Sequence, residues 1–247
     1  MNNEKDYLLK RHIVCPVCEK TIEVLTVKSA RVVRTDSDMD LRPRTTTGFD
    51  SLKYGVCSCY YCGYTALSRT FGDILRPQKQ LIRDQITPNY IARFENVPDE
   101  YSYNEAIYLH KLSLINALAK HGKMSEKAYN ALLIAWLYRG AREELEEVCD
   151  SDTDGILECR RQELSFLRKA YDGFTSALAV EMPPFVGMDM ITTEYLMAAL
   201  AWELEDYENA ARLVSQVLID KGASSKVKDR ALTLKEDIFA HIRAGKK

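Results

Sequence analysis

Short β-type runs of apolar and polar residues occur in the first third of the chain. The alternation over 22–27 predicts a β-strand, and shorter β-branched runs at 31–34 and 52–56 predict two more. Between them, the polar stretch 35–50 is typical of a long loop. A short helix is predicted over 79–85, between two prolines. The N-terminal part is therefore expected to be a small β-rich module.

Beyond residue 100 the apolar positions recur at helical spacing. Ser102 and Glu105 form a capping box ahead of an apolar run that ends near Ala119. Ser125 is placed to cap the following helix, and Gly140 is placed to follow its end. The predicted helices cover 102–119, 125–139, 156–180, 193–204, 207–220 and 225–243. These patterns divide the chain into a β-rich module over 1–95 and an all-α domain over 96–247.

Two of the predicted helices share one spacing of apolar residues. They place apolar side chains at i, i+4 and i+7, with a small residue first: Ala170, Phe174 and Ala177, then Ala210, Val214 and Val217. Small residues let one helix lie close to its neighbour, as in the second helix of tetratricopeptide repeats. Such helices stack into a curved array that binds peptides or partner proteins. The alternative is an irregular helical bundle without a groove.

The strongest chemical signal is a pair of Cys-x-x-Cys motifs. Two such pairs can surround one zinc ion, and the residues are Cys15, Cys18, Cys59 and Cys62. Four thiolates leave no open coordination position, so the predicted cofactor is a structural Zn²⁺ rather than a catalytic one. The predicted fold class is accordingly α+β: a small zinc-ribbon-like β module followed by an all-α tetratricopeptide-like helical domain.

Neighbouring residues leave alternatives open at this site. Cys57 competes with Cys59 as a ligand, although Cys59 has the x-x spacing to Cys62 and Gly63 behind it. His12 is a spare candidate ligand three residues before the first pair. A redox dithiol is the competing chemistry, but such motifs open a helix inside a βαβ unit, and the sequence before this one shows no such context.

Charge and composition narrow the function classes only a little. The 247 residues carry a net charge of −2, yet 1–95 holds 15 basic and 11 acidic residues while 96–247 holds 19 and 25. This excess is too small to predict a strong phosphate-driven interaction with nucleic acid. No apolar run reaches the roughly 20 residues needed to span a bilayer, so no membrane partner is predicted. Seven cysteines, an odd number, without a signal-like N-terminus favour a reducing cytoplasm.

Three further motifs suggest function. Asp36 and Asp38 follow two arginines and can serve an enzyme, although turns and ion pairs are the commoner use of such residues. The run from Asp150 through Asp152 to Asp154 is half of a calcium loop, but Arg161 occupies the position of the bidentate glutamate. Aromatic and basic residues around the second pair are a candidate surface for single-stranded nucleic acid: Tyr60, Tyr61, Tyr64, Arg69, Arg76, Lys79 and Arg83.

The motifs together resemble an uncharacterised bacterial family, domain of unknown function 2225. The resemblance covers about 12–220 and rests on Cys15-Pro-Val-Cys18, Asp36-Ser37-Asp38, and the run from Tyr54 to Tyr64 that contains Cys57, Cys59 and Cys62. The chain departs from the pattern at Glu19, where glycine is common, and at Ser58-Cys59, where cysteine and proline are expected. The resemblance implies the same order of zinc module and tetratricopeptide-like helices, and it implies no activity.

We therefore expect a non-enzymatic, cytoplasmic zinc-binding protein whose helices bind or scaffold a protein partner. A nucleic-acid-binding zinc ribbon is the first alternative, and an enzyme that uses Asp36 and Asp38 is the second. No small-molecule substrate is identified by the sequence.

Overall fold

The computed structural model describes residues 4–94, 96–148 and 153–244. Two small antiparallel sheets come first and are followed by seven α-helices within the described residues, which confirms the predicted α+β class with a helical C-terminal part. The strands are β1 (Leu8–Val14), β2 (Thr21–Val27), β3 (Val56–Ser58) and β4 (Thr65–Leu67). The helices are α1 (Arg76–Gln85), α2 (Tyr103–Ala119), α3 (Met124–Glu146), α4 (Asp154–Val180), α5 (Met190–Glu203), α6 (Tyr207–Ile219) and α7 (Ser225–Ala244).

Each sheet is a hairpin whose turn carries one cysteine pair. β1 pairs with β2 from Leu8↔Val27 to Val14↔Thr21, and β3 pairs with β4 from Val56↔Leu67 to Ser58↔Thr65. The alternation over 22–27 predicted β2 correctly. Its partner β1 was not predicted, because most of its side chains are exposed and the strand lacks a regular apolar face.

Two predicted strands are wrong. Residues 31–34 form the end of a 3₁₀ turn and a single bridge between Arg34 and Thr45, so the irregular segment begins before the predicted loop over 35–50. At 52–56, most of the residues lie in a 3₁₀ helix over Ser51–Tyr54, and only Val56 belongs to β3. The cause is Asp50, whose side chain accepts a hydrogen bond from the Leu52 amide at 3.0 Å and closes a turn.

The predicted end of α3 is also wrong. The helix continues past Gly140 to Glu146, and Gly140 lies against Tyr103, where a Cβ atom would be 2.5 Å from the ring. This glycine provides space for close packing between α2 and α3 rather than a helix stop. Ser125 does not cap the helix either, because its hydroxyl donates a hydrogen bond to the Glu181 carboxylate. The remaining predicted helices are present, and Ser102 caps α2 as the capping box predicted.

The buried apolar residues form two clusters. The helical core lies mainly among α2 to α7, and the metal-centre core surrounds the cysteines and extends to Ile82 and Ile86. The β3–β4 hairpin lies between the two. Val56 and Leu67 face the helical core while Cys57 and Ala66 face the metal-centre core, since successive residues of a strand point to opposite sides.

The helices pack largely against their neighbours in sequence. All six residues of the repeated spacing are buried, which the small–large pattern requires: Ala170, Phe174, Ala177, Ala210, Val214 and Val217. The tetratricopeptide-like assignment itself stays a prediction. So does the division at residue 95, although the helical core also contains N-terminal residues such as Leu8, Phe49 and Val56.

Candidate metal centre

The two hairpin turns bring four cysteine sulfur atoms together. The Sγ atoms of Cys15, Cys18, Cys59 and Cys62 all lie within 4.8 Å of one another. Sγ of Cys15 is 3.7 Å from that of Cys62, and Sγ of Cys18 is 3.6 Å from that of Cys59. When four sulfur atoms coordinate an ion tetrahedrally with metal–sulfur bonds of about 2.3 Å, neighbouring sulfur atoms lie roughly 3.8 Å apart. The cluster therefore has the dimensions to hold one metal ion.

The two turns have the same backbone geometry. Cys15 N–H donates to the carbonyl of Lys20 at 3.0 Å, and Cys59 N–H donates to that of Tyr64 at 2.8 Å. In each turn the residue after the second cysteine donates back to the carbonyl of the first, at 2.9 Å and 2.8 Å. That residue has a positive φ in both cases: 62° at Glu19 and 76° at Gly63. Glu19 thus adopts the left-handed conformation that glycine adopts in the second turn.

Proton sharing among the thiols follows from their proximity. Hydrogen bonds from Cys59 and Cys62 lower the pKa of Cys15, whereas hydrogen bonds to Cys15 and Cys59 raise the pKa of Cys62 above its ordinary value. One thiolate forms readily, and its charge then opposes ionisation of the next thiol. Four thiolates at these distances need a cation to balance their charge, which is the chemistry of a metal site.

Cys57 and His12 lie outside the cluster of four. Cys57 is buried on the neighbouring strand, and burial raises the pKa of its thiol. His12 is exposed on β1, with Nε2 3.9 Å from a carboxylate oxygen of Glu23. The sulfur atoms that the structure brings together are thus the four that the Cys-x-x-Cys spacing selects.

Hydrogen bonds from the following helices hold both turns. Arg83 of α1 donates from Nε to the carbonyl of Val17 at 3.1 Å. Thr87 donates to the carbonyl of Cys62 at 3.0 Å, and Asn116 of α2 donates to that of Gly63 at 3.1 Å. The two turns of the candidate centre are therefore fixed to the neighbouring helices by hydrogen bonds.

Some residues of the candidate nucleic-acid surface make contacts within the protein. Tyr64 is fully buried and donates to the carbonyl of Phe71 at 3.1 Å, and Arg69 donates to the carbonyl of Val186 at 2.8 Å. Tyr61 remains 48% exposed, with Lys20 Nζ 4.4 Å from the centre of its ring. The nucleic-acid alternative consequently depends on Tyr61 and the exposed basic residues of α1.

Asp36 and Asp38 face different cavities. Asp38 accepts a hydrogen bond from Arg44 at 2.7 Å and lines a cavity with Arg139, which agrees with the ion-pair interpretation. Asp36 lines a separate open cavity beside Arg230 of α7. The enzymatic role of this pair stays a prediction. In the calcium motif, Asp150 and Asp152 lie outside the described residues.

A buried charged network beside Asp38 was not predicted from the sequence. Arg139 of α3 donates to Asp40 at 3.1 Å and to Glu163 of α4 at 2.7 Å, and Trp136 donates to Asp40 at 2.8 Å. Burial lowers the pKa of Arg139, but the carboxylates of Asp40 and Glu163 outweigh this effect and raise it overall. A signal was present, since Glu163 interrupts the apolar stripe that continues through Phe166 and Ala170.

Comparison with known protein families supports the resemblance. The family model described as "Uncharacterized protein conserved in bacteria (DUF2225)" matches residues 8–238. The chain belongs to this family. No curated protein and no solved structure matches it.

The match includes both cysteine pairs and nearly all of the helical region of this DUF2225 protein. Among the helices that the structure describes, none is both long and apolar enough to cross a membrane. The family description names no activity, so the role of the DUF2225 protein has to be argued from its own residues.

Proposed function

We propose that this DUF2225 protein is a non-enzymatic, cytoplasmic protein in which a structural zinc ion clamps the two hairpins and the helices bind a partner protein. The observation that supports the zinc ion is the cluster of four cysteine sulfur atoms, in which two of the sulfur–sulfur distances are 3.6 Å and 3.7 Å. Zinc suits four thiolates in a tetrahedron, and such a site leaves no position for an activated water. Binding energy at such a site contributes to folding.

Metal analysis of the purified protein tests the zinc part. We expect one zinc per chain, and we expect Cys62→Ser to weaken retention during dialysis against a chelator. Cys57→Ser is the matched control, because Cys57 is a neighbouring buried cysteine outside the cluster. Purified protein without bound metal, or equal loss in both variants, would contradict the proposal.

An apolar groove among α2, α3 and α4 supports the partner-binding part. Its apolar lining includes Leu114, Leu118 and Met124, and its charged lining residues are Lys127, Lys169 and Asp172, which leave one net positive charge. The groove has a volume of about 360 Å³. Leu118 and Ile115, one helical turn apart on α2, are 53% and 51% exposed. Two large exposed apolar residues on one helix face are unusual. The lysines favour an amphipathic partner segment that presents apolar side chains between acidic residues.

Affinity capture with paired variants tests this surface. We expect the wild type to retain one protein in stoichiometric amount from native lysate, and we expect Leu118→Glu to abolish retention by placing a charge in the groove. Leu157→Glu is the control, since Leu157 is also half-exposed but does not line the groove. A synthetic peptide of the captured partner must then bind with the same dependence on Leu118. Failure to capture a protein, or capture that ignores Leu118, would overturn the proposal.

The exposed ring of Tyr61 keeps nucleic acid as the second candidate. Aromatic rings beside cations stack on unpaired bases. Salt-dependent retention on single-stranded DNA or RNA that is lost in Tyr61→Ala, together with an unaffected Leu118→Glu variant, would favour this alternative over a protein partner.

A further inference from the structure

One residue of the helical part makes a buried hydrogen bond to the candidate metal centre. Asn116 lies near the C-terminal end of α2 and is fully buried. Its side-chain amide donates to the carbonyl of Gly63 at 3.1 Å and to the carbonyl of Leu112, one turn earlier in the same helix, at 2.9 Å. The first of these bonds links α2 to the residue that directly follows Cys62.

The neighbours of this amide fix its orientation. Both hydrogen-bonded neighbours of Asn116 are carbonyl oxygens, which only accept, so the NH₂ group has to face them. Its Oδ1 is buried and has no hydrogen-bond partner among the described residues. A buried acceptor without a partner costs free energy, and an apolar side chain at this position would avoid that cost. The presence of an amide therefore indicates that its bond to Gly63 is needed.

A second buried asparagine shows the contrast. Asn130 of α3 is also fully buried, but its amide is hydrogen-bonded at both ends. Its Nδ2 donates to the carbonyl of Glu126 at 2.9 Å, and its Oδ1 accepts from the Ser113 hydroxyl of α2 at 2.6 Å. Asn130 thus stabilises the packing of two helices, whereas Asn116 also bonds to the second cysteine turn.

The carbonyl of Gly63 belongs to the backbone that places Cys62. The amide of Gly63 donates to the carbonyl of Cys59 at 2.8 Å, and its φ is 76°. Glycine adopts many backbone conformations, so a turn that ends in glycine is defined by the contacts around it. Those contacts are the ring of Tyr90, which lies against the Gly63 Cα, and the donors Asn116 and Thr65 on its carbonyl. A shift of this carbonyl would carry the adjacent Cys62 with it.

We propose that Asn116 is a positioning residue of the metal centre, because its amide holds the Gly63 carbonyl and thereby sets the place of the Cys62 sulfur. This inference rests on the proposed zinc site. It assigns part of the affinity for the ion to a residue of the helical part that does not touch the ion. Groups that orient the ligands of a metal commonly change its affinity by roughly 10–100-fold.

Metal titration of the full-length protein tests the proposal. Cobalt(II) is bound first, because its visible absorption reports the coordination geometry, and zinc is then used to displace it. We expect Asn116→Ala to raise the Kd for zinc about tenfold and to shift the visible bands of the cobalt-substituted protein. Asn116→Ser should do the same, since a serine hydroxyl can bond within its own helix but is shorter than the asparagine amide.

Asn130→Ala is the matched control, because it removes the other buried asparagine. It should lower the free energy of unfolding of the metal-loaded protein and leave the zinc Kd and the cobalt bands as in the wild type. A wild type that binds neither ion would contradict the proposed zinc site itself. With a wild type that binds, the inference about Asn116 is overturned if either of its variants keeps the wild-type Kd or the wild-type bands, or if Asn130→Ala weakens binding as much.

Discussion

Glu19 and Gly63 occupy equivalent positions after the two cysteine pairs, with φ of 62° and 76°. The left-handed conformation costs a residue with a Cβ atom about 1 kcal/mol, a cost that glycine does not have. We therefore expect Glu19→Gly to raise the free energy of unfolding by about 1 kcal/mol. Chemical denaturation of the metal-loaded protein measures the change.

Glu19→Ala is the control for this prediction, because alanine keeps the Cβ atom and removes only the charge. If alanine stabilises the protein as much as glycine, the backbone explanation is wrong. The reverse change at the second turn should be costly. A Cβ atom on Gly63 would lie 2.5 Å from Cγ of Tyr90, so Gly63→Ala combines backbone strain with a steric clash.

His110 gives the protein a built-in sensitivity to acid. Its Nδ1 lies 2.8 Å from the carbonyl oxygen of Ala106, its Nε2 is buried beside Gly55, and burial lowers its pKa to about 4. The unfolded chain binds a proton near pH 6.5, whereas the folded protein does not until about pH 4. Stability from this residue is therefore complete above pH 6.5 and falls as the pH drops toward 4.

The measurement is the free energy of unfolding of wild type and His110→Leu between pH 4 and 7. We expect the difference between the two curves to shrink or reverse toward acid, since only the wild type has this ionisation. A difference that stays constant with pH would show that His110 is not the responsible group.

At the scale of elements, the start of α3 depends on a residue from the end of α4. The carboxylate of Glu181 accepts hydrogen bonds from the amides of Met124 and Ser125 and from the Ser125 hydroxyl. A carboxylate at a helix N-terminus satisfies unpaired amides and complements the helix dipole. We expect Glu181→Ala to lower the free energy of unfolding by about 1–2 kcal/mol, measured by thermal or urea denaturation. Glu236→Ala, an exposed change on α7, should have little effect.

This external cap also explains a limit of prediction from sequence. Local patterns located α2 and α4 to α7 because their apolar stripes are encoded within each helix, and α2, α5 and α6 also have an N-cap side chain directly before them, such as Ser102 before α2. The N-cap and the end of α3 were predicted wrongly. Its cap comes from Glu181, more than 50 residues away, and its Gly140 is used for packing against Tyr103. Residues whose role depends on a distant partner carry no local signal.

The candidate metal centre was predictable for the opposite reason. Its candidate ligands come in two local pairs, and two Cys-x-x-Cys pairs in one module are typical of tight turns around a metal. The buried charged network around Arg139 has no such signature. Asp40 and Arg139 are 99 residues apart, and their ion pair forms only because the loop 35–50 packs on α3.

At the scale of the molecule, chelation should affect the two cores differently. The metal-centre core contains the candidate ligands and their apolar neighbours, whereas the helical core contains most of the buried apolar residues of α3 to α6. Because metal binding energy is folding energy, we expect amides in 15–24 and 57–66 to exchange faster after chelation. Amides of α3 and α5 should keep most of their protection in the same hydrogen-exchange experiment.

Return of zinc should restore slow exchange, which controls for damage during chelation. An equal loss of protection in α5 would show that the two cores unfold as one cooperative unit. That outcome would fit the shared β3–β4 hairpin, whose two faces belong to different cores.

The order of the segments along the chain has a last consequence. The loop 35–50 lies against α3, where Asp40 forms an ion pair with Arg139, and it lies in sequence between Cys18 and Cys59. An ion bound by both cysteine pairs would link the two ends of the segment that contains this loop, and so reduce the conformations open to the loop. We therefore expect the contacts that order the loop on α3 and the affinity of the centre for its ion to strengthen each other.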